Sequence, residues 1–286
     1  MISKIIIFIY IILLFISCRP GKTIEVNLPK HEPQLVVEGY LEPGLPKTVV
    51  IQESSGYFDA PILKVIPDAL VTLTHNGQID TLTYFPIQLG NFQLGVYTSP
   101  ELVPQEYQNT WTLNVTAKLS NGRIATATAT TRILPPIPVE TTEHVFNYEK
   151  ENRAYVTGYF TDPGNEDNFY RIIMINPSTS IYPLPPGQTY RDSIVDYILT
   201  DDLINGSRIP FGSPPWFEPG EEVKIKLISI DQPYYKYLES LTNAIAGNGS
   251  PFVEPFNVKG NIQGTGVAGI FTGLSYTLYR DTLPIP

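Results

Sequence analysis

The chain has 286 residues, of which 28 are acidic and 19 are Lys or Arg, and its net charge at neutral pH is −9. Nucleic-acid binding needs clustered basic side chains that neutralise phosphates, so this composition argues against a nucleic-acid partner. One cysteine and three histidines exclude a disulfide within the chain and argue against a Cys- or His-ligated metal site. We predict neither metal nor cofactor.

The first segment of the chain predicts export. Lys4 precedes an apolar run from Ile5 to Ile16, and the sequence then turns polar. About twelve apolar residues fit the core of a signal peptide but are too few to span a bilayer as a helix. We therefore expect residues 1–17 to be removed during export.

The end of this leader predicts a lipid anchor. Residues 15–18 read Phe-Ile-Ser-Cys and resemble a bacterial lipobox, in which the cysteine is diacylated before cleavage makes it the new N-terminus. Cys18 is the predicted lipidation site, with acyl chains such as palmitate, and residues 18–33 form a lipidated tether. Two or three acyl chains hold a protein durably to a membrane where one does not. Membrane lipid is the first predicted partner.

Alternating polar and apolar runs, rich in Val, Ile, Thr and Tyr, follow the tether and are typical of strands. Asn76-Gly77 and Asn121-Gly122 lie between such runs and predict hairpins of the type I′ class. About seven strands predict an immunoglobulin-like β-sandwich over residues 34–134. The predicted strands are Leu35 to Leu41, Lys47 to Glu53, Ala69 to His75, Asp80 to Phe85, Asn91 to Tyr97, Trp111 to Leu119 and Arg123 to Arg132.

A second β-rich domain with one short helix is predicted over residues 139–286. Three prolines between Leu134 and Pro138 cannot lie in a central strand and indicate the boundary. The helix carries tyrosines at helical spacing that we expect to pack on a sheet, begins after Asp231 and ends at Gly247. The predicted strands are Arg153 to Thr161, Asn168 to Asn176, Tyr190 to Leu199, Glu222 to Asp231 and a last pair from Gly269 to Arg280.

Several short motifs occur in an order that resembles an uncharacterised lipoprotein family of Bacteroidota with a domain of unknown function. The motifs are Val37-Glu38-Gly39-Tyr40, Asp162-Pro163-Gly164, Asn168-Phe169-Tyr170-Arg171, Tyr237-Leu238, Pro251-Phe252, Asn261-Ile262, and Gly264 and Gly269 leading to Ile270-Phe271. Members are typically encoded beside SusC-type TonB-dependent transporters. The resemblance implies a non-catalytic accessory subunit of a nutrient-uptake complex at the outer membrane, with such a transporter as its partner. Many surface-exported lipoproteins of that phylum carry acidic residues just after the cysteine, whereas Arg19 to Lys22 include none. The sequence therefore leaves open whether the protein faces the cell surface or the periplasm.

An alternative hypothesis is a surface protein that binds or processes glycans. The chain has 18 tyrosines and 13 phenylalanines, and aromatic rings provide apolar faces with a polar edge. Trp216 and Phe217, which follow two prolines, are the candidate contacts for a ligand or partner. A core position for the tryptophan is the competing interpretation.

Three further motifs have a structural and a chemical interpretation. Residues 264–269 spell G-x-G-x-x-G, but an alternating strand-like run follows rather than the helix that a dinucleotide site requires, so we predict a backbone bend. Residues 162–168 are rich in oxygen ligands for Ca²⁺, but the spacing is not that of an EF-hand, and Asp, Pro, Gly and Asn favour a solvated turn. Asp201 and Asp202 are neighbours, so on a strand their carboxylates would point to opposite faces rather than act as a catalytic pair.

Three Asp-Ser/Thr-aliphatic triplets resemble the O-glycosylation acceptor of exported Bacteroidota proteins. Their candidate acceptor residues are Thr81, Ser193 and Thr282. Ordinary polar residues at strand ends remain the other interpretation.

Overall fold

The structure, a computed structural model, describes residues 31–56, 59, 64–90, 92–147, 153–164, 166–176, 194–247 and 257–285. Strands hold 57% of the described residues and helix 7%, which confirms the predicted mostly β class. The predicted leader with Cys18, the residues around Ser193, and Asn165 of the oxygen-rich loop lie outside the described residues. No helix in the described ranges is both long and apolar enough to cross a membrane.

Sixteen strands and one helix are defined within these ranges. The strands are β1 (Leu35–Leu41), β2 (Pro46–Glu53), β3 (Lys64–Val65), β4 (Leu70–His75), β5 (Gln78–Leu89), β6 (Phe92–Leu102), β7 (Thr110–Lys118), β8 (Ile124–Arg132), β9 (Thr141–Asn147), β10 (Arg153–Thr161), β11 (Phe169–Ile175), β12 (Ile194–Thr200), β13 (Arg208–Gly212), β14 (Glu222–Ile230), β15 (Val267–Gly273) and β16 (Ser275–Thr282). The helix α1 spans Gln232–Gly247.

The first sheet folds over a core of its own. Its strand order is β15-β1-β2-β6-β5-β4-β7-β8, with β3 attached to β2. Strand β5 joins two layers, because its first half pairs with β4 and its second half with β6. Burial alternates along β1, β7 and β8, as expected when one face covers a core and the other meets water. This arrangement agrees with the predicted sandwich.

The strand β15 comes from the far end of the chain but belongs to this first sheet. It pairs in parallel with β1, from Leu35 opposite Val267 to Leu41 opposite Gly273. The next strand, β16, pairs with β14 in another sheet. The two strands predicted between Gly269 and Arg280 therefore exist but join different sheets. Residues 33–286 cluster as one compact unit.

Two smaller sheets enclose a second core. Their orders are β13-β10-β9 and β12-β11-β14-β16. Inward side chains alternate along β10 and β11, and the largest fully buried ones include Phe160 and Tyr170. Their rings lie 4.7 Å apart, edge to face, a favoured aromatic geometry.

The helix α1 begins where predicted, after Asp231. The Asp231 carboxylate accepts a hydrogen bond of 3.0 Å from the Tyr234 amide, which is the contact expected of an N-cap. Tyr234 and Tyr237 are 2% and 7% exposed and pack in a third cluster with β14 and with Ile270 of β15. The expectation that these tyrosines pack on a sheet is confirmed for both.

The two predicted hairpins form, but only one has the predicted turn. Asn76 and Gly77 both have positive φ, 49° and 78°, as a type I′ turn requires. At the second hairpin only Gly122 has a positive φ, 85°, and the Asn121 side chain accepts a hydrogen bond from the Arg123 amide. The type I′ assignment at Asn121-Gly122 is therefore wrong, because this turn is longer than two residues. The strands β3, β9 and β13 were not predicted.

Candidate functional site

A groove lined mainly by polar and aromatic side chains opens at one end of the first sheet. It has a volume of about 650 Å³, within the range of small-molecule sites. The turn between β4 and β5, the end of β6 and the start of β7 meet there. Its lining consists of Lys47, Leu73, His75, Asn76, Gln78, Ile79, Asp80, Glu101, Leu102, Pro104, Glu106 and Trp111.

A buried lysine holds two carboxylates at the base of this groove. Lys47 lies on the inward face of β2, in phase with Val49 and Ile51, and is 7% exposed. Its Nζ lies 2.9 Å from Asp80 Oδ2 and 2.8 Å from Glu101 Oε2. Burial alone would lower the pKa of Lys47, but hydrogen bonds from its ammonium to these carboxylates raise it above its usual value. The ammonium is therefore charged at neutral pH, and both acids are held in place.

Two stacked rings form the adjoining wall. His75 and Trp111 are opposite each other in the β4–β7 register, and their rings are parallel, 3.9 Å apart. Burial lowers the pKa of His75, and the nearby Lys47 ammonium lowers it further against an opposing effect of Glu106, so the imidazole is neutral at pH 7. Neither His75 Nε2 nor Trp111 Nε1 has a hydrogen-bond partner among the described residues, although both atoms are buried.

A third carboxylate stands at the rim. Glu106 Oε2 accepts hydrogen bonds of 3.1 Å from the side-chain amides of Asn76 and Asn109. It also lies 3.8 Å from His75 Nε2, just beyond hydrogen-bond distance. The Glu106 side chain keeps 49% of its surface exposed, so its second oxygen remains available on the open side.

The groove therefore combines donors and acceptors with a surplus of negative charge. Three carboxylates against one ammonium leave a net charge of −2, since His75 is neutral. Lys47 carries three N–H donors, of which two are used inside the protein. Ile79 and Leu102 at the rim are 71% and 55% exposed and provide an apolar surface beside the polar groups. Such a lining can bind a polar molecule that both donates and accepts hydrogen bonds.

The aromatic residues predicted from the sequence lie elsewhere, in the second core. Phe217 is 1% exposed, and its carbonyl accepts a hydrogen bond of 2.7 Å from the Ala154 amide. Trp216 is only partly buried and packs against the same core. Of these two candidate contacts, Phe217 is buried in the core, and only Trp216 keeps exposed surface.

Two of the three predicted O-glycosylation acceptors lie within the described residues. Thr81 on β5 and Thr282 on β16 are both exposed. The Asp before each has a partner: Asp80 forms an ion pair with Lys47, and Asp281 accepts a hydrogen bond from the Thr142 hydroxyl. The third acceptor, Ser193, and the lipidation site Cys18 lie outside the described ranges.

The oxygen-rich turn and the paired acids have structural partners. Asp162 is 2% exposed and accepts hydrogen bonds from the Tyr170 hydroxyl and the Gly206 amide. Asp201 is buried and accepts a hydrogen bond from the Asn168 amide, whereas Asp202 is exposed, so these two carboxylates do not face one cleft. No cluster of three potential metal ligands occurs among the residues that the structure describes.

The glycine run forms the predicted bend. Residues 267–273 are the strand β15 rather than a helix. Gly269 has a φ of 122°, and a Cβ there would overlap the carbonyl oxygen of Val37. The run therefore lets two strands approach closely, and no helix follows it to hold a dinucleotide.

A comparison with known protein families gives a match over most of the chain. A family model described as Domain of unknown function (DUF4249) matches residues 22–280. The chain belongs to the DUF4249 family. No curated protein matches this DUF4249 chain in sequence.

Similar solved structures are remote from this DUF4249 chain. One is the tetra-tandem repeat in the extending region of a large adhesion protein, with 11% identity, a TM-score of 0.23, and coverage of 87% of this chain and 49% of the other. Another is a DUF4785 family protein from Legionella pneumophila, with 10% identity, a TM-score of 0.25, and coverage of 68% and 52%. The chain spans about half the length of each, and likenesses this weak carry no inference.

The groove residues of this DUF4249 chain were not predicted from its sequence. One signal was available, because Lys47 occupies an inward position in the alternating run of β2 and a lysine on a core face needs a partner. The identity of its partners was not available, since Asp80 and Glu101 lie on β5 and β6, and only the sheet register brings those strands to β2.

Proposed function

We propose that this chain is a lipid-anchored, non-catalytic outer-membrane protein that acts as an accessory subunit of a TonB-dependent nutrient-uptake complex. The observation that carries the proposal is the position of the only cysteine, Cys18, directly after an apolar run of signal-peptide length. Acyl chains on that residue would hold the protein at a membrane. The groove of the first sheet then has the role of capturing a ligand for the transporter.

The anchor is tested by replacing the lipidated residue. The wild-type protein expressed in its native host is expected to fractionate with membranes and to begin at an acylated Cys18 by mass spectrometry. The Cys18→Ser protein is expected to lose the acyl mass and to wash off membranes. A wild-type protein that keeps its leader, or begins elsewhere and stays soluble, overturns the proposal.

The transporter partnership needs a separate measurement. Purification of the tagged wild-type protein from native membranes in mild detergent is expected to recover a TonB-dependent transporter in defined stoichiometry. A matched control is an unrelated tagged lipoprotein from the same membranes. Recovery of the wild-type protein alone rejects the accessory role while leaving the lipid anchor intact.

A second candidate function is the binding or processing of glycans at the surface. The observation that favours it is Trp216, which remains partly exposed on a loop beside two prolines. Indole rings can stack on sugar rings through their apolar face. A Trp216→Ala protein that bound oligosaccharides as well as the wild type would remove this residue from the hypothesis.

A further inference from the structure

We propose that the groove of the first sheet binds a neutral saccharide. This inference rests on the capture role proposed above for the same groove and names its ligand class. The reasoning uses only groups inside the first sheet, so it depends on neither Trp216 nor the lipid anchor. Neutral means here that the bound sugar units carry no carboxylate, sulfate or phosphate.

The charge of the groove selects against acidic ligands. Three carboxylates and one ammonium give a net charge of −2, and two of those carboxylates, on Asp80 and Glu101, already share the ammonium of Lys47. An anion would meet the exposed Glu101 and Glu106 side chains, which are 71% and 49% exposed. Like charges in a partly desolvated site are repelled, so uronates, sulfated sugars and phosphates are disfavoured.

The hydrogen-bonding pattern selects against a purely cationic ligand. The third N–H of Lys47 and the second amide N–H of Asn76 are donors that the hydrogen bonds to Asp80, Glu101 and Glu106 do not use. An ammonium or guanidinium ligand offers only donors. It would leave these donors of the protein without an acceptor, and each buried donor without an acceptor makes the binding free energy less favourable.

Sugar hydroxyl groups can pair with both the donors and the acceptors of the groove. Each sugar hydroxyl donates one hydrogen bond and accepts up to two, so it can donate to a carboxylate oxygen while it accepts from an amide or ammonium. Glu101 and Glu106 then accept from hydroxyls, and Lys47 and Asn76 donate to them.

The apolar side chains at the rim of the groove can contact the C–H face of a sugar ring. Ile79 and Leu102 line the groove and are 71% and 55% exposed. The C–H face of a pyranose can cover such side chains and remove apolar surface from water. A volume of about 650 Å³ accommodates a short oligosaccharide rather than a long glycan in full.

The test is a binding measurement on the purified full chain. An array of short neutral gluco-, manno- and xylo-oligosaccharides is the probe, with oligogalacturonate as the acidic comparison and oligolysine as the cationic one. At least one neutral oligosaccharide is expected to bind, and its affinity is then measured by titration calorimetry. Binding of only oligogalacturonate or only oligolysine, or of no neutral member of the array, overturns the inference.

Matched variants locate the site. Glu106→Gln and Glu101→Gln keep side-chain shape at exposed positions, and each is expected to weaken the binding of the neutral oligosaccharide about tenfold, or about 1.4 kcal/mol. Glu143→Gln, an exposed glutamate on β9 outside the groove, is the control and should leave affinity unchanged. Unchanged binding by both groove variants, or a loss caused by Trp216→Ala alone, overturns the assignment. Failure of the anchor or transporter tests would not alter these affinities, so the two proposals fail separately.

Discussion

Gly39 on β1 lies directly against the ring of Phe271 on β15. The two residues are partners in the parallel register, and a Cβ added to Gly39 would come within 2.8 Å of Phe271 Cδ2. Phe271 is 0% exposed, so its ring has little freedom to move away. The core of the first sheet therefore depends on a side chain that arrives near the end of the chain.

Gly39→Ala is expected to lower the free energy of unfolding by about 1–3 kcal/mol, the usual cost of overpacking a close-packed core. Urea denaturation followed by fluorescence measures it. In the double variant Gly39→Ala/Phe271→Leu the smaller side chain relieves the overlap, so the combined loss should be less than the sum of the two single losses. Strict additivity would show that the ring and the added methyl do not meet.

A fragment restricted to residues 34–134 is expected to lack a cooperative unfolding transition. Without β15, the strand β1 becomes an unpaired edge and the core loses Phe271; truncation of one buried Phe alone costs about 3–5 kcal/mol. Circular dichroism during thermal unfolding, with the chain from residue 31 to 286 as the control, measures the difference. A sharp transition in the fragment would mean that the first sheet is stable without its last strand.

Local patterns predicted most elements of this fold but not their assembly. β1 and β10 begin and end where the alternation of their side chains predicts, and α1 begins after its predicted cap. The parallel pairing of β1 with β15 was not predictable in the same way, because no local property of residues 267–273 specifies a partner so distant in sequence. Short edge strands such as β3, with two residues, offer too few positions for alternation to be seen.

The candidate groove illustrates the same limit. Trp111 was predicted on a strand, but its stacking partner His75 comes from β4 through a register that only the folded sheet sets. Phe217, in contrast, followed two prolines in a loop-like sequence and still became a core residue, because its backbone bridges to Ala154. Sequence context therefore identified residue types that suit binding, while burial decided which of them remain accessible.

The carboxylate of Asp231 connects three elements of the fold. It accepts hydrogen bonds from Thr131 Oγ1 on β8 at 2.9 Å, Thr272 Oγ1 on β15 at 3.3 Å and the Tyr234 amide at 3.0 Å. Burial nevertheless raises the pKa of Asp231 above its usual value, against the lowering effect of these bonds. Asp231→Ala is expected to lower the free energy of unfolding by about 1–3 kcal/mol, since it removes the cap and the acceptor of the Thr131 hydroxyl. An unchanged urea midpoint would contradict this.

The raised pKa of Asp231 also predicts a pH dependence. Between the unfolded pKa, about 3.9, and the higher folded pKa, the native state binds more protons than the unfolded state, so stability from this group falls as pH rises. Asp231→Asn keeps an acceptor for the Tyr234 amide but does not titrate. The stability of the wild type relative to Asp231→Asn should therefore decrease as the pH rises from about 4 and become constant above the folded pKa. A relative stability that is flat or rises with pH would show that the folded pKa is not raised.

The buried ammonium of Lys47 in the groove is expected to contribute to the free energy of unfolding. Lys47→Met is expected to lower the free energy of unfolding by about 2 kcal/mol, less than the 3–5 kcal/mol for a fully buried pair, because the Glu101 side chain is 71% exposed. Adding Asp80→Asn should recover part of the loss, since the carboxylate left without its ammonium is 25% exposed. Lys118→Met on the exposed face of β7 is the control.

The raised pKa of Lys47 also predicts a pH dependence. The contribution of Lys47 to the free energy of unfolding should be fully present below about pH 10.4, the unfolded pKa, and should disappear above the folded pKa. Urea titrations of the wild type and Lys47→Met across this alkaline range measure that loss, and a difference that did not shrink would place the stabilisation in packing rather than charge.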